Sequence, residues 1–181
     1  MIIFSDIDWT LAHCGHRVVT FDHREYVPGH FFDYKEINWR FFNSKPNILK
    51  DEIFEYALET YLELIKYHTI VYVTSRERKT GNATLEWLWM NGFPHGKTFC
   101  CTKNNSDKIN NKEYVFVKYR KQINEMGAVM YDDDFSGHLQ DVVDKYNIQL
   151  IKPDYVYGKK DFWKKEYKRL QKSNWQFTNS K

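Results

Sequence analysis

Ile2 to His13 reads IIFSDIDWTLAH, and the fold turns on how this stretch is taken. Apolar residues lead straight into two acids one residue apart, Asp6 and Asp8, with Thr10 just beyond them. Met1 to Ser5 is apolar on both faces, as a strand in the centre of a parallel sheet must be. Trp9 stands where a glycine would be expected. The acids are then either a catalytic carboxylate pair at the end of a buried strand or the polar start of a turn. The rest of the chain bears on that choice.

From Thr69 onward, strand-like and helix-like stretches alternate. TIVYVT (69–74) is a β-branched run. NATLEWLWMNGF (82–93) has Leu85, Leu88 and Trp89 at helical spacing and Gly92 as its stop. KTFCCT (97–102) reads as a strand. KEYVFVKYRKQINEMG (112–127) carries Val115, Tyr119, Ile123 and Met126 along one helical stripe, ending at Gly127. AVMY (128–131) is a strand running into three aspartates, GHLQDVVDKYN (137–147) is helical, and IQLIKP (148–153) is a last strand closed by Pro153. Strands alternating with such helices imply βαβ units: an α/β fold, a Rossmann-like three-layer sandwich around a parallel sheet.

The stretch from Ala12 to about Lys50 breaks the rhythm. It is rich in His, Phe, Tyr and Trp, with Pro28, Gly29 and Pro46 as interruptions, and is expected to be a small cap or substrate loop inserted after the first strand. Its aromatic density argues against a disordered linker, and packing explains the cluster between Phe31 and Phe42 better than base stacking does. DEIFEYALETYLELIKYH (51–68) restores a helix.

At 181 residues and 42% hydrophobic content, one domain over 1–181 is expected. No apolar run reaches the roughly 20 residues a membrane span needs, so no such span is expected, and with acids within the first apolar run an ordinary secretory signal is not expected either. Three cysteines make neither an even disulfide set nor a paired zinc spacing, which points to a reduced, cytoplasmic setting. HCGH (13–16) has zinc-ligand types but no partner pair at standard spacing, and reads as the loop leaving the first strand, where His16 and Arg17 are candidates for contact with a substrate. The net charge is only +3, yet Lys159 to Lys172 holds seven basic residues against Asp161 and Glu166. A basic C-terminal helix over about 159–175 could follow a phosphate backbone, though a solvated surface face is the plainer reading.

Ligands of parallel α/β sheets bind beyond the carboxyl ends of the strands. Three such ends carry capable residues: Asp6-Ile7-Asp8-Trp9-Thr10, Thr74-Ser75-Arg76 and Asp132-Asp133-Asp134. One could be an ordinary turn or cap; three converging on one edge concentrate carboxylates that would repel unless a cation is bound. An oxygen-only site with an open position favours Mg²⁺, and beside it an aspartate can attack phosphorus.

In this order DIDWTL, VYVTSR, a later lysine and VMYDDD resemble the four motifs of the haloacid dehalogenase superfamily of phosphatases. The resemblance implies Asp6 as nucleophile and Asp8 as general acid, then base. Thr74 would hydrogen-bond a phosphoryl oxygen, and Thr10 falls with the substrate contacts. Mg²⁺ would be held by Asp6, the backbone carbonyl of Asp8, Asp132, and Asp133 through water. Asp132 and Asp133 are preferred because the apolar strand ends at Tyr131, which leaves Asp134 to open the next turn. Thr74 is preferred to Ser75 because it directly follows IVYV. The lysine must reach the edge that carries Asp132. Lys118 lies roughly 9 Å further along the helix than Lys112 at 1.5 Å per residue, so Lys112 is favoured and Lys118 is the rival.

Within the superfamily the chain is most similar to the phosphatase part of phage-type polynucleotide kinase-phosphatases. TSRER resembles their Ser-Gly-Arg stretch and KEYVF the start of their lysine helix. That likeness implies Arg76, and less directly Lys103, as contacts to a substrate phosphate. It makes a nucleotide or a nucleic-acid 3′-phosphate end the expected partner. A nucleotidase acting on free mononucleotides, or a silent protein of the same fold, are the alternatives. No GxxxxGK stretch occurs, so a Walker-type kinase half is not expected.

Overall fold

The computed structural model describes residues 1–27, 32–33, 35–102, 108–134, 137–153 and 161–178, with the backbone alone for 108–111 and 173–178. Its strands are β1 (Ile2–Ser5), β2 (Ala12–His13), β3 (Glu52–Ile53), β4 (Thr69–Glu77), β5 (Lys97–Thr102), β6 (Ala128–Tyr131) and β7 (Ile148–Ile151). The helices are α1 (Trp39–Phe42), α2 (Lys45–Ile48), α3 (Ala57–Leu64), α4 (Gly81–Met90), α5 (Lys108–Met126), α6 (Leu139–Asp144) and α7 (Phe162–Thr178).

Five strands form one sheet in the order β5-β4-β1-β6-β7, every pair parallel. β1 is central, as its doubly apolar composition requires. Side chains alternate across the sheet with the period of two. Ile3, Ile70, Tyr72 and Tyr131 enter one core with Tyr61, Trp87 and Trp163. Ile2, Phe4, Val71, Val73 and Met130 enter the other with Val115, Phe116, Ile123 and Val143. Helices α3, α4 and α7 thus cover one face, and α5 and α6 the other. This is the α/β three-layer sandwich expected from the alternation. The chain winds outward through β4 and β5, then crosses to β6, so the carboxyl end of β1 lies at a topological switch point.

The helix stops follow local chemistry. Gly92 (φ +74°) and Gly127 (φ +72°) adopt left-handed backbone where α4 and α5 end, a conformation with no Cβ penalty for glycine. The faces are less local. Of the stripe expected to face the core from α4, Leu88 is buried, but Leu85 and Trp89 are exposed and Ala83, Thr84 and Trp87 are buried in their place. The helix is rotated so that Trp87 Nε1 donates to the carbonyl of Asp51 at 2.9 Å. Met126 likewise leaves the α5 stripe for solvent, while Val115, Tyr119 and Ile123 stay buried.

Residues 51–68 do not form one helix. Glu52–Ile53 pairs antiparallel with Ala12–His13, and Phe54 N–H donates to Leu11 at 2.9 Å, so α3 starts only at Ala57. The described part of 12–50 holds β2, a short 3₁₀ turn (Gly15–Arg17), α1 and α2. The C-terminal helix α7 packs on α3; Lys159 and Lys160 lie outside the described residues. No described helix is long and apolar enough to cross a membrane.

Candidate active site

β1 and β6 end in register, Ser5 opposite Tyr131, so the next residues, Asp6 and Asp132, emerge side by side. Asp6 N–H donates to the carbonyl of Tyr131 at 2.8 Å, and Asp132 N–H to that of Ile151 at 3.2 Å. Beneath them Tyr61 donates to Ser5 Oγ at 2.6 Å, and Ser5 Oγ to the carbonyl of Asp6 at 2.7 Å. These bonds hold the strand ends from inside the core.

Lys112, in the second turn of α5, places Nζ 3.0 Å from Asp6 Oδ1 and 2.6 Å from Asp132 Oδ2. Lys118 lies away from the acids, its Nζ 5.1 Å from the centre of the Phe99 ring. Burial opposes the charge of Lys112, but the carboxylates of Asp132 and Asp6 outweigh it and hold the ammonium above the usual lysine range. Burial also pushes the carboxyl of Asp6 up to about 7, with Asp132 and Asp8 adding to the rise and Lys112 opposing it. Asp133 is raised by burial and by Asp132 and Asp6.

One carboxylate oxygen from each of Asp6, Asp132 and Asp133 lies within 4.8 Å of the others, the one group of this kind among the described residues. An all-oxygen, acid-rich set suits a hard divalent cation. Asp134 serves the backbone instead. It sits at φ +41° and its carboxylate accepts from Leu139 N–H at 3.0 Å and from Lys152 at 2.7 Å.

The side chain of Asp8 turns to a different set of partners. Arg76 Nη2 donates to Oδ1 at 2.7 Å and Nε to Oδ2 at 3.1 Å, while Arg17 Nη2 also donates to Oδ1. Behind them Asp51 accepts from Arg17 Nε and from Arg76 Nη2, each at 2.7 Å. Burial works against ionisation of Asp8, yet the two guanidinium groups hold its carboxyl well below the usual carboxylate range. Asp51 is the reverse case: burial, aided by Asp8, lifts it to about 7 against the same two arginines.

Arg76, expected to face a substrate phosphate, is 2% exposed and committed to Asp8, Asp51 and Thr84. The reason is that β4 does not end at Thr74. It continues to Glu77 through a register shift that carries Arg76 beneath Asp8. Thr10, expected at the substrate, is fully buried. Its hydroxyl accepts from Asp133 N–H at 3.1 Å and its carbonyl from Trp163 Nε1 at 2.8 Å, so it ties the first loop to the metal-side acids. Thr74 Oγ accepts from Arg76 N–H at 3.2 Å, which leaves its own proton to donate. Lys103 lies outside the described residues.

Trp9 has φ +60°, backbone that a bulky residue rarely adopts. Its ring meets His13 edge-on at 5.1 Å and Tyr26 at 5.2 Å. Among the described residues the HCGH stretch gathers no metal set. His16 Nε2 lies 3.0 Å from the carbonyl of Asn47, and the buried thiol of Cys14 is raised by burial.

Arg17 was expected only as a loop residue near substrate, and Asp51 only as the start of a helix. No local pattern marks either, because their partners lie 9 to 34 residues away.

No family model and no curated protein matches the chain. Among solved structures it is similar to a chain in the Pnkp1/Rnl/Hen1 RNA repair complex, with 12% identity and a TM-score of 0.55. The match covers 83% of this chain and 41% of the other, so the present chain corresponds to less than half of that protein. At this identity the two share a related fold.

Proposed function

We propose that the chain is a Mg²⁺-dependent phosphomonoesterase of the haloacid dehalogenase type, acting on the 3′-phosphate end of a nucleic acid or on a nucleotide. The observation that carries this reading is the set formed by Asp6, Lys112, Asp132 and Asp133 at the carboxyl ends of β1 and β6. The fold shared with a chain from an RNA repair complex supports placing the substrate among nucleic-acid ends.

Asp6, Asp132 and Asp133 would hold Mg²⁺, which when bound supplies positive charge to the phosphoryl oxygens. Asp6 attacks phosphorus; a phosphorus–oxygen bond forms to its carboxylate and the bond to the leaving oxygen breaks. Asp8 gives a proton to that oxygen, then takes one from the water that attacks the aspartyl-phosphate. Inorganic phosphate leaves and Asp6 is restored. Lys112 steadies the carboxylate of Asp6 between turnovers. The O–H of Thr74 donates to a phosphoryl oxygen. With the site at rest, Arg17 and Arg76 keep Asp8 ionised. A dianionic phosphate arriving beside Asp8 raises its proton affinity by like-charge repulsion, the direction that the role of general acid needs.

The test is a panel of 3′-phosphorylated oligonucleotides, nucleoside monophosphates and sugar phosphates, with and without Mg²⁺. Oligonucleotide hydrolysis that needs Mg²⁺ is the expected result. Its KM should rise with salt if Lys165, Lys168 and Lys172, exposed along α7, follow the phosphate backbone. Preference for mononucleotides would make the enzyme a nucleotidase, and no hydrolysis of any of them would overturn the reading.

Metal binding carries a pH signature. The carboxyl of Asp6 titrates near its ordinary 3.8 in the unfolded chain and near 7 in the metal-free fold. Between these values unfolding releases a proton, so metal-free stability falls as pH rises from about 4 to about 7. A cation takes the ionised form, so the gain in Tm on adding Mg²⁺ should be larger at pH 8 than at pH 6. Thermal melts at the two pH values check this, and an equal gain at both would contradict it.

A further inference from the structure

Asp51 is a buried acid beside the site that the proposed chemistry leaves unused. Its side chain is fully buried, and it takes one guanidinium on each oxygen: Arg17 Nε on Oδ1 and Arg76 Nη2 on Oδ2, both at 2.7 Å. Its own place is braced from two helices. Asp51 N–H donates to the carbonyl of Ile48 at the end of α2, and its carbonyl accepts from Trp87 in α4. The remaining guanidinium edges are also taken, Arg17 Nη1 by the carbonyl of Phe42 at 3.1 Å and Arg76 Nη1 by Thr84 at 3.3 Å. What each arginine still presents toward the cleft is directed at Asp8, whose side chain is 18% exposed.

Arginine forks bind carboxylate and phosphate with the same geometry. Two of them beside a phosphate-handling site therefore have two competing uses. They can orient Asp8, or they can capture the substrate or product phosphate. One carboxylate behind both forks favours the first use, since two arginines are then balanced by two aspartates and each fork is fixed from the rear.

We infer that Asp51 is a positioning residue: a built-in anion that holds Arg17 and Arg76 on Asp8 and keeps their charge off the phosphate. This rests on the proposed phosphatase reading for its consequence in turnover, and on geometry alone for its consequence in anion binding. The two are separable by experiment.

At pH 8, above the value of about 7 to which burial lifts Asp51, Asp51→Asn keeps the shape and removes the charge, leaving one guanidinium charge uncompensated beside Asp8. Inorganic phosphate, measured by calorimetry on the whole chain, should bind about tenfold more tightly. In turnover of the oligonucleotide substrate, KM should fall while kcat drops by about 10- to 100-fold, because Asp8 is no longer held in place. A residue that only supports the fold would lower Tm and the active fraction and leave KM and phosphate affinity unchanged.

Should Asp51→Asn not fold, Asp51→Glu keeps the charge and moves it by one methylene. Phosphate affinity should then stay at the wild-type level while kcat falls. Folded Asp51→Asn with unchanged kcat and unchanged phosphate affinity, or Asp51→Glu with unchanged kcat, overturns the inference. If wild-type protein hydrolyses nothing in the panel but Asp51→Asn still tightens phosphate binding, the phosphatase reading fails and the anchoring role of Asp51 stands.

Discussion

Asp6→Asn is expected to abolish turnover while leaving the fold intact. The amide matches the carboxylate in size, and the backbone bond from residue 6 to the carbonyl of Tyr131 does not involve the side chain. What is lost is the nucleophile, because a neutral amide does not form the phosphorus–oxygen bond. Removing the nucleophile of a covalent mechanism costs on the order of 10⁴-fold or more in kcat.

The stability effect runs the other way. The carboxyl of Asp6 is raised to about 7, so at pH 8 the fold carries an ion that burial disfavours. Asparagine removes that charge, and Lys112 keeps its bond to Asp132. The metal-free Tm at pH 8 should therefore be equal to wild type or higher. Turnover assays and melts on the same preparation read both effects, and wild-type turnover in Asp6→Asn would remove Asp6 from the mechanism.

Trp163→Ala should produce the largest loss of stability of any change discussed, and the position lies in α7, outside the four motif stretches. Trp163 is fully buried, with ring centroids of Phe162, Tyr131 and Tyr61 at 4.9, 5.2 and 5.6 Å. Its Nε1 donates to the carbonyl of Thr10. Truncating a buried tryptophan costs about 3–5 kcal/mol through lost transfer energy and the cavity left behind, which lowers Tm by on the order of 10 °C in a chain of this size.

The effect should extend to the site. Trp163 packs on Tyr131, the residue before Asp132, and bonds the loop between Asp8 and Thr10. Trp163→Phe, which keeps a ring and loses the donor, should cost less, about 1–3 kcal/mol for the carbonyl left without its partner. Urea denaturation of the three proteins measures the series; equal midpoints would show that α7 does not brace this edge.

What is legible in the sequence is whatever is local along the chain. IIFS before Asp6 and AVMY before Asp132 announce buried strands that end in acids, and period two places their side chains. Gly92 and Gly127 mark helix stops, because left-handed backbone there costs a residue with a Cβ and costs glycine nothing. Lys112 could be separated from Lys118 because rise per residue is a fixed length. Each of these depends on neighbours within a few positions.

The side of α4 that faces inward was not readable. Leu85, Leu88 and Trp89 form as good a stripe as the one observed, and the choice fell to a bond between Trp87 and the carbonyl of Asp51, 36 residues apart. Trp9 is similar. Its type raised a question, but only the backbone at φ +60° and the rings of His13 and Tyr26 show what the turn makes of it.

The sequence by itself determined the α/β class, the central place of β1 and the acids that leave it, because burial pattern and turn chemistry act over a few residues. The tertiary structure alone decided how Asp8 is surrounded. Arg17, Asp51 and Arg76 come from three separate segments, and two arginines and two aspartates are stable in a buried site only when each charge meets its opposite at hydrogen-bond distance. That balance is a property of the folded arrangement, and no run of residues along the chain expresses it.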